Sequence, residues 1–184
     1  MSETREKIIS LADKLIRVNG FNAFSYKDIA TPLEMKNAAV HYHFPGKADL
    51  GIGVINEDLQ RFTQQTNKWQ KLPEEEQLKH LIDVFRKHSQ AGNICLMGSL
   101  APDYNTLVPD MQRKVQEMCR AILHWLTNCL ENGRKNKRFK FKGNAENRAL
   151  LIITNLQASL LMSRVLGNTI FSRISEQLLD DILI

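Results

Sequence analysis

The chain has 184 residues, of which 43% are apolar, and its formal net charge is +5 from 25 basic and 20 acidic residues. This length suits one domain of ordinary size, or a small head on a larger body. The first thirty positions are charged throughout and the longest apolar run is 149–153, so we expect neither a signal peptide nor a membrane span. The three cysteines, Cys95, Cys119 and Cys129, lack metal-ligand spacing and predict reduced thiols in a cytoplasm.

Apolar side chains recur at helical spacing from the start of the chain. A first helix is predicted from near the N-terminus to a glycine stop at Gly20. Ser25 offers an N-cap for a short second helix, which Pro32 either shortens or closes in its last turn. A third short helix, about 36–43, ends before Pro45-Gly46, because proline disfavours helix in the preceding residue and glycine permits a sharp turn.

Longer helices follow these three. Predicted segments are 47–71, 74–91, 110–132, 145–166 with a cap at Asn144, and a last helix capped by Ser172. The segment 92–109 contains glycines and prolines and is expected to be broken or looped, and Gly133 with the basic residues after it interrupts the helical pattern again. No alternating β pattern occurs. The predicted class is therefore all-α with about nine helices.

Six positive charges are concentrated in the run RKNKRFKFK, residues 134–142. Outside this run the chain has 19 basic and 20 acidic residues. The net positive charge therefore says little about the chain as a whole. We interpret the run as a solvated linker between helices, because blocks of like charge usually face water. Binding of nucleic acid or acidic lipid is the alternative interpretation.

Three short helices within the first fifty residues suit a helix-turn-helix head. The stretch SYKDIATPLEMKNAAVHYHFPGKADL, residues 25–50, resembles the DNA-binding signature of the TetR family of bacterial transcriptional regulators. The family's characteristic positions are matched without a gap by Ser25, Asp28-Ile29-Ala30, Leu33, Val40, Tyr42, Phe44, Lys47 and Leu50. Four positions depart from the pattern: Glu34 stands where the family has a turn glycine, Lys36 where Ser or Thr often precedes the recognition helix, and His41 and His43 at the family's aromatic pair.

The resemblance covers residues 4–55. It implies a helix-turn-helix DNA-binding domain, residues 1–48, on a larger helical ligand-binding and dimerisation domain, residues 49–184. Such a protein would be cytoplasmic and bacterial, and nucleoid-associated when bound to DNA.

The chemistry of the third helix agrees with a DNA-binding surface. Ala38 and Ala39 are small enough for close approach to base edges, and Asn37 can pair with adenine in bidentate fashion. Lys36 can reach guanine or phosphate, and Lys47 can hold the DNA backbone. A metal site at two histidines of this segment is not expected, because helical residues two apart point to different faces. The predicted DNA-binding residues are Ser25, Tyr26, Lys27, Lys36, Asn37, Ala38, Ala39, His41, Tyr42, His43 and Lys47.

The resemblance also implies a homodimer on a palindromic operator and a ligand pocket among the middle helices. Helix 145–166 is apolar on more than one side, and Leu156, Leu160, Ile174 and Leu178 are the predicted interface residues. The predicted pocket residues are Phe62, Trp69, Phe85, Cys95, Met97, Tyr104, Met118, Trp125, Asn155 and Met162, and ordinary core packing is the alternative for its aromatic and methionine members.

The leading hypothesis is a ligand-responsive repressor released from DNA by a small, mostly apolar inducer. Oxidation or alkylation of Cys95 is the rival signal. No nucleophile–base pair, metal quartet or phosphate loop stands out, so we expect neither an enzyme nor a cofactor. The alternatives are a small-molecule-binding helical protein whose head does not bind DNA, and an interaction protein that works through 134–142.

Overall fold

The computed structural model describes residues 2–183. Their helices are α1 (Glu3–Asn19), α2 (Tyr26–Ala30), α3 (Asn37–His43), α4 (Lys47–Trp69), α5 (Glu74–Gln90), α6 (Leu96–Leu100), α7 (Pro109–Lys135), α8 (Ala145–Leu166) and α9 (Thr169–Asp180), with a 3-10 turn at Tyr104–Thr106. Across this range β structure is limited to one isolated antiparallel bridge between Phe139 and Leu183. The all-α prediction is confirmed.

Local capping explains where several helices begin and end. Ser2 accepts the backbone N–H of Arg5 at the start of α1, and the Asn144 side chain accepts the N–H of Asn147 at 2.7 Å, which confirms the predicted cap of α8. Gly20 ends α1 at φ 95°, a conformation that glycine adopts without steric strain. The cap predicted at Ser172 is wrong, because α9 begins three residues earlier and includes it.

Gly133 does not interrupt the seventh helix. α7 continues through it to Lys135, and the Phe139 ring packs directly on the glycine: a Cβ added there would lie 2.2 Å from Phe139 Cδ2. The phenyl ring is 2% exposed. The glycine is therefore needed for close packing of the chain that returns after the helix, and its role as a helix stop was a wrong prediction.

The molecule consists of two compact units. The first contains the residues up to Arg61 together with Leu96–Met118; the second contains Phe62–Cys95 and the residues from Cys119 onward. The helices α4 and α7 contribute to both units. The compact unit that holds α1–α3 is thus larger than the predicted domain 1–48, since α6 and the start of α7 pack with it.

Each unit has its own buried apolar core. In the first unit the helix stripes of α1, α2, α3 and α4 meet through Ile8, Ala12, Ile16, Ile29, Val40, Leu50 and Val54. In the second unit α8 packs against α5 and α9, with Leu78, Ile82, Leu130, Ile152 and Leu156 buried. Removal of these side chains from water supplies the main driving force for both packings.

The helix α8 is unusually apolar for its surroundings. Among the described helices it alone is long and apolar enough to cross a membrane by length and composition, with 39% of its most apolar window buried in the structure. Core helices of soluble proteins meet the same test, so this property by itself is weak evidence for a membrane span.

Candidate nucleic-acid interface

One side of helix α3 is held in place by buried apolar side chains. Val40 is fully buried and Phe44 is 2% exposed, while the Tyr26 hydroxyl donates a 2.8 Å hydrogen bond to the Phe44 carbonyl. These contacts fix both the depth and the end of the short helix. Because α3 has only seven residues, tertiary packing rather than helix propensity must maintain it.

The opposite side of α3 is open to solvent. Lys36, Asn37, Ala38 and His41 are exposed, whereas Ala39 and His43 are half-buried. Tyr42 is the most prominent side chain, with 83% of its surface exposed. A large aromatic residue so poorly covered by its own chain is available for contact with a partner.

The end of α3 is closed by contacts of its two histidines. His41 Nδ1 lies 3.3 Å from the Pro45 carbonyl oxygen, and the Tyr42 and His43 rings meet edge-on at 5.2 Å. These contacts orient the rings while leaving part of each accessible. No group of three or more His, Cys, Asp or Glu that could hold a metal ion occurs within residues 2–183.

The turn between α2 and α3 forms without the family's glycine. Glu34 adopts a left-handed conformation at φ 53°, with its N–H bonded to the Thr31 carbonyl at 3.2 Å and the Met35 N–H bonded to the Ala30 carbonyl at 3.0 Å. This pair of bonds is the pattern that normally ends a helix at glycine. Pro32 lies in this turn, two residues after the last residue of α2, and the helix is correspondingly short.

The N-terminus of α2 is capped by hydrogen bonds between Ser25 and Asp28. Asp28 accepts both the backbone N–H and the hydroxyl of Ser25 at 2.7 Å, and these hydrogen bonds lower the pKa of the Asp28 carboxyl. Lys27 is exposed beside them. The cap predicted at Ser25 is confirmed, and Ser25 can still offer hydroxyl lone pairs, while Lys27 offers a free-standing positive charge.

Tyr26 is not positioned to contact DNA. It is buried, its ring meets His41 edge-on at 4.6 Å, and burial followed by the negative charge of Asp49 raises the pKa of its hydroxyl to about 12. A buried phenol whose proton is already donated to Phe44 has no group left for a phosphate. The structure therefore corrects this residue from a predicted DNA contact to a support of α3.

Lys47 likewise makes its contacts within its own chain. Its ammonium donates a hydrogen bond to the Phe24 carbonyl and lies 4.3 Å and 4.9 Å from the centroids of the Phe24 and Phe21 rings. Burial lowers the pKa of this ammonium, against the opposing pull of Asp103 and Asp28. Lys47 thus holds the start of α4 against the loop after α1, and its phosphate contact stays a prediction.

A polar clasp joins that same loop to the segment after α6. Asn22 donates its backbone N–H and its amide to the two carboxylate oxygens of Asp103, both at 3.0 Å, and its amide also donates to Thr106 Oγ1 at 2.8 Å. The partners lie 81 and 84 residues apart. Sequence reasoning missed this contact because no local pattern signals a pairing over that distance.

A buried charge cluster joins α1 to α4. Arg17 is 4% exposed; its Nε lies 2.9 Å from Asp13 Oδ1 and its guanidinium 2.6 Å from Asp58 Oδ1. A buried guanidinium requires such partners, since desolvation of an uncompensated charge is unfavourable. The helical spacing of Asp13 and Arg17 was visible in the sequence, but the contribution of Asp58 was not.

The predicted ligand residues are divided between the two compact units. Met97, Tyr104 and Met118 belong to the first unit and the remainder to the second. Phe85, Cys95 and Met118 are buried, so core packing, the alternative interpretation, applies to Phe85 and Met118. Asn155 and Met162 are exposed on α8, and the Asn155 amide is bonded to the carbonyl of Leu151 in its own helix.

Three of the predicted ligand residues do lie together. The Phe62 and Trp125 rings meet edge-on at 5.7 Å, as do Trp69 and Trp125, and Trp69 stacks on His80 at 5.4 Å. We call these four residues the aromatic cluster. His80 was not predicted, although its helical position on α5 made it a visible aromatic neighbour.

The cysteines are largely withdrawn from solvent. Cys95, directly before α6, is 7% exposed and Cys129 is 4% exposed. Burial raises the pKa of Cys119 to about 11 and that of Cys129 to about 12. Low accessibility and a protonated thiol both slow reaction with electrophiles.

The predicted interface residues of α8 are turned inward. Leu156 is fully buried and Leu160 is 2% exposed within the protomer itself, so neither offers surface to a second copy. Ile174 and Leu178 on α9 are half-buried. The exposed apolar residues of α8 are instead Leu150, Leu151, Leu161, Met162, Val165 and Leu166, each at least 43% exposed.

Comparison with known proteins agrees with this architecture. Residues 8–51 match the family model of bacterial regulatory proteins, tetR family, and residues 75–177 match the tetracyclin repressor-like C-terminal domain. The chain is 23% identical over 172 residues to the HTH-type transcriptional repressor NemR of Escherichia coli K12, covering 88% of this chain and 86% of that protein.

Two solved structures extend the likeness over the whole fold. A TetR-family transcriptional regulator from Agrobacterium tumefaciens is 26% identical with a TM-score of 0.91, covering 98% of both chains. A TetR regulator from Legionella pneumophila is 29% identical with a TM-score of 0.88, covering 99% of this chain and 98% of that one. With both family models matched in the expected order, the chain belongs to the TetR family of transcriptional regulators.

Proposed function

We propose that this protein is a homodimeric repressor that binds a palindromic DNA operator through the exposed side of α3 and is released by a small-molecule ligand. The observation that carries the proposal is the two-sided character of α3. Its inner side is anchored by Val40 and Phe44, whereas Lys36 before the helix and Asn37, Ala38, His41 and Tyr42 on it are exposed.

The residue chemistry of this exposed side suits the major groove. Asn37 at the first position of the helix can pair with adenine, and Ala38 permits close approach. Lys36, Lys27 and the ring nitrogen of His41 suit phosphate oxygens or base edges. We assign the DNA-contacting residues to the segment 1–48 and ligand binding and dimerisation to 49–184.

The dimer is supported by an apolar stripe along α8. Exposed residues recur at Leu150, Leu151, Thr154, Asn155, Ala158, Leu161, Met162 and Val165, which is the spacing of one helix side. Uncovered apolar residues on one side of a soluble protein mark an interface. A second copy related by a two-fold axis would cover this stripe and place two recognition helices on a palindromic site.

The DNA-binding assignment can be tested with an operator selected from random duplexes. Replacing Asn37 by Ala should relax the preference at one base pair, because a bidentate pair contributes about 1–3 kcal/mol of discrimination. Lys36→Ala should weaken binding and, if the contact is to phosphate, lower the salt slope by about one. The matched control is Lys68→Ala, an exposed lysine of α4 outside the recognition segment.

Base preference, affinity and salt dependence are measured on the selected duplex. Parent-like binding by both α3 variants would contradict the assignment of this surface. A folded parent protein that selects no duplex sequence at all would contradict repression through DNA binding.

A further inference from the structure

A cleft of about 470 Å³ lies in the second unit between the end of α4 and the outer side of α5. Its volume falls in the range of small-molecule sites. Trp69 and His80 line one part, and Gln65, Asp83, Arg86 and Lys87 line the remainder. The cleft is therefore part aromatic and part charged, unlike the mostly apolar pocket predicted from the sequence.

The aromatic part consists of two stacked rings, with the His80 imidazole covering one face of the Trp69 indole. The Trp69 indole is nearly parallel to the His80 ring, with 11° between the planes and 5.4 Å between centroids. On another side Trp69 is contacted edge-on by Trp125 at 5.7 Å. Trp69 is half-buried, so its orientation is fixed while part of the ring remains accessible. Such a surface suits a planar ring, which can stack in an offset manner.

The charged part has an excess of positive charge. Arg86 and Asp83 form an ion pair one turn apart on α5, which leaves Lys87 as the unmatched charge in the lining. Within residues 2–183 Lys87 forms no ion pair, and it is exposed. Glu76, four residues before His80 on α5 and outside the cleft lining, is paired with Lys79 at 2.8 Å. An anion would therefore meet Lys87 and the outer guanidinium edge of Arg86.

We propose that this cleft is the effector site and that it takes planar aromatic carboxylates, with the ring on Trp69 and the carboxylate at Lys87 and Arg86. The role of the cleft as an effector site rests on the proposed function, because an effector presupposes a repressor that a ligand releases from DNA. The binding site itself rests only on the aromatic surface and the charges beside it. A planar cation is disfavoured by the same charges, and a neutral ring lacks the charge-assisted hydrogen bonds.

Three ligands of equal shape and different charge test the proposal: 2-naphthoate, 2-naphthamide and the 2-naphthamidinium cation. The chain has two tryptophans, both in the aromatic cluster, so their indole N–H signals in a nitrogen–proton correlation spectrum report on this region. We expect naphthoate to bind about tenfold more tightly than the amide, with a shift of the Trp69 signal, and the cation not to bind.

Two lysine variants test which residue gives the cleft its preference for a carboxylate. Lys87→Gln should remove most of the preference for the carboxylate, whereas Lys79→Gln, an exposed lysine of α5 outside the cleft lining, should leave it intact. Trp69→Phe should weaken binding of the naphthoate and its amide alike, since it reduces the stacking surface. Equal binding of the three ligands, no binding, or a charge preference that survives Lys87→Gln would each overturn the site.

Operator binding is measured separately on the same protein. Naphthoate should weaken operator affinity about tenfold at saturation if it favours the released state, and binding in the cleft without any change in operator affinity would overturn its role as the effector site. Failure of the ligand-free protein to bind an operator would instead overturn the proposed function, while the ligand spectra would still decide whether the cleft binds aromatic carboxylates.

Discussion

Gly133 shows how a single missing methyl group determines packing. It lies inside α7, where glycine is unfavourable by about 1 kcal/mol relative to alanine. The compensation is contact with Phe139, whose ring occupies the space where a Cβ would be. With the phenyl ring buried, the chain after α7 returns toward the C-terminus, and the Lys140 N–H bonds to the Ile182 carbonyl at 2.8 Å.

Replacing Gly133 by Ala should therefore destabilise the protein, although alanine is the better helix former. Displacing the Phe139 ring is expected to cost about 1–3 kcal/mol as overpacking, which exceeds the gain of about 1 kcal/mol in helix propensity. Urea denaturation measures the difference. The neighbouring exposed position supplies the control, since Asn132→Ala gains propensity without a clash; equal stabilisation by both variants would refute the packing role.

Tyr26 supports α3 through a hydrogen bond that depends on the protonated phenol. Because the folded-state pKa is raised to about 12 and that of an unfolded tyrosine is about 10, the folded state holds the proton more tightly. The resulting stabilisation is fully present below pH 10 and is lost as the pH rises through 12.

The variant Tyr26→Phe should lower the free energy of unfolding by about 1–2 kcal/mol at neutral pH, since the buried Phe44 carbonyl loses its donor. The difference from the parent should shrink between pH 10 and 12, where the parent phenol ionises. Denaturation series at pH 8 and pH 11 measure both effects. A pH-independent difference would show that the hydroxyl contributes nothing through its proton.

Between elements, the most informative contact is the clasp of Asn22 with Asp103 and Thr106. It joins the loop after α1 to the segment after α6 within one compact unit. The same loop accepts the Lys47 ammonium at Phe24. The loop after α1 is thus tied to the segment after α6 as well as to the start of α4.

Breaking this clasp should be non-additive. Asn22→Ala and Asp103→Ala are each expected to destabilise by about 1 kcal/mol, and the double variant by less than their sum, because the bond between the Asn22 amide and the Asp103 carboxylate is lost in all three. A double-mutant cycle in urea measures the coupling. Strict additivity would mean that the two side chains do not stabilise each other, and operator affinity measured in the same series would show whether the clasp also positions α3.

At the scale of the whole molecule, the exposed stripe of α8 is the interface of the proposed dimer. Its residues are uncovered in the protomer, whereas Leu156 and Leu160 contribute to the protomer's own core. Charged substitutions at the inner leucines would unfold the chain and reveal nothing about association. The outer residues Leu161 and Val165, 53% and 79% exposed, allow association to be tested without disturbing the core.

The double variant Leu161→Glu, Val165→Glu should be a folded monomer with weakened operator binding, because two charges would be buried in the interface. Light scattering at micromolar concentration measures the mass, and circular dichroism verifies folding. Leu72→Glu, at another exposed leucine, is the control that should remain dimeric. A monomeric parent, or a dimeric double variant, would contradict the proposed interface.

Sequence by itself determined the order of helices, most of their ends and the helix-turn-helix motif. The stop at Gly20, the caps at Ser25 and Asn144 and the buried Val40 and Phe44 follow from neighbours within a few residues, and such local effects are written in the pattern. The resemblance to the TetR family rested on the same short segment.

Only the tertiary structure decided which side of each helix faces solvent and which polar groups are already paired. It buried Tyr26, bonded Lys47 to the Phe24 carbonyl, placed Leu156 and Leu160 in the core, and paired Asn22 with a carboxylate 81 residues away. Burial depends on packing between segments distant in the chain, and a helix that is apolar on several sides does not indicate which side its own protomer will cover.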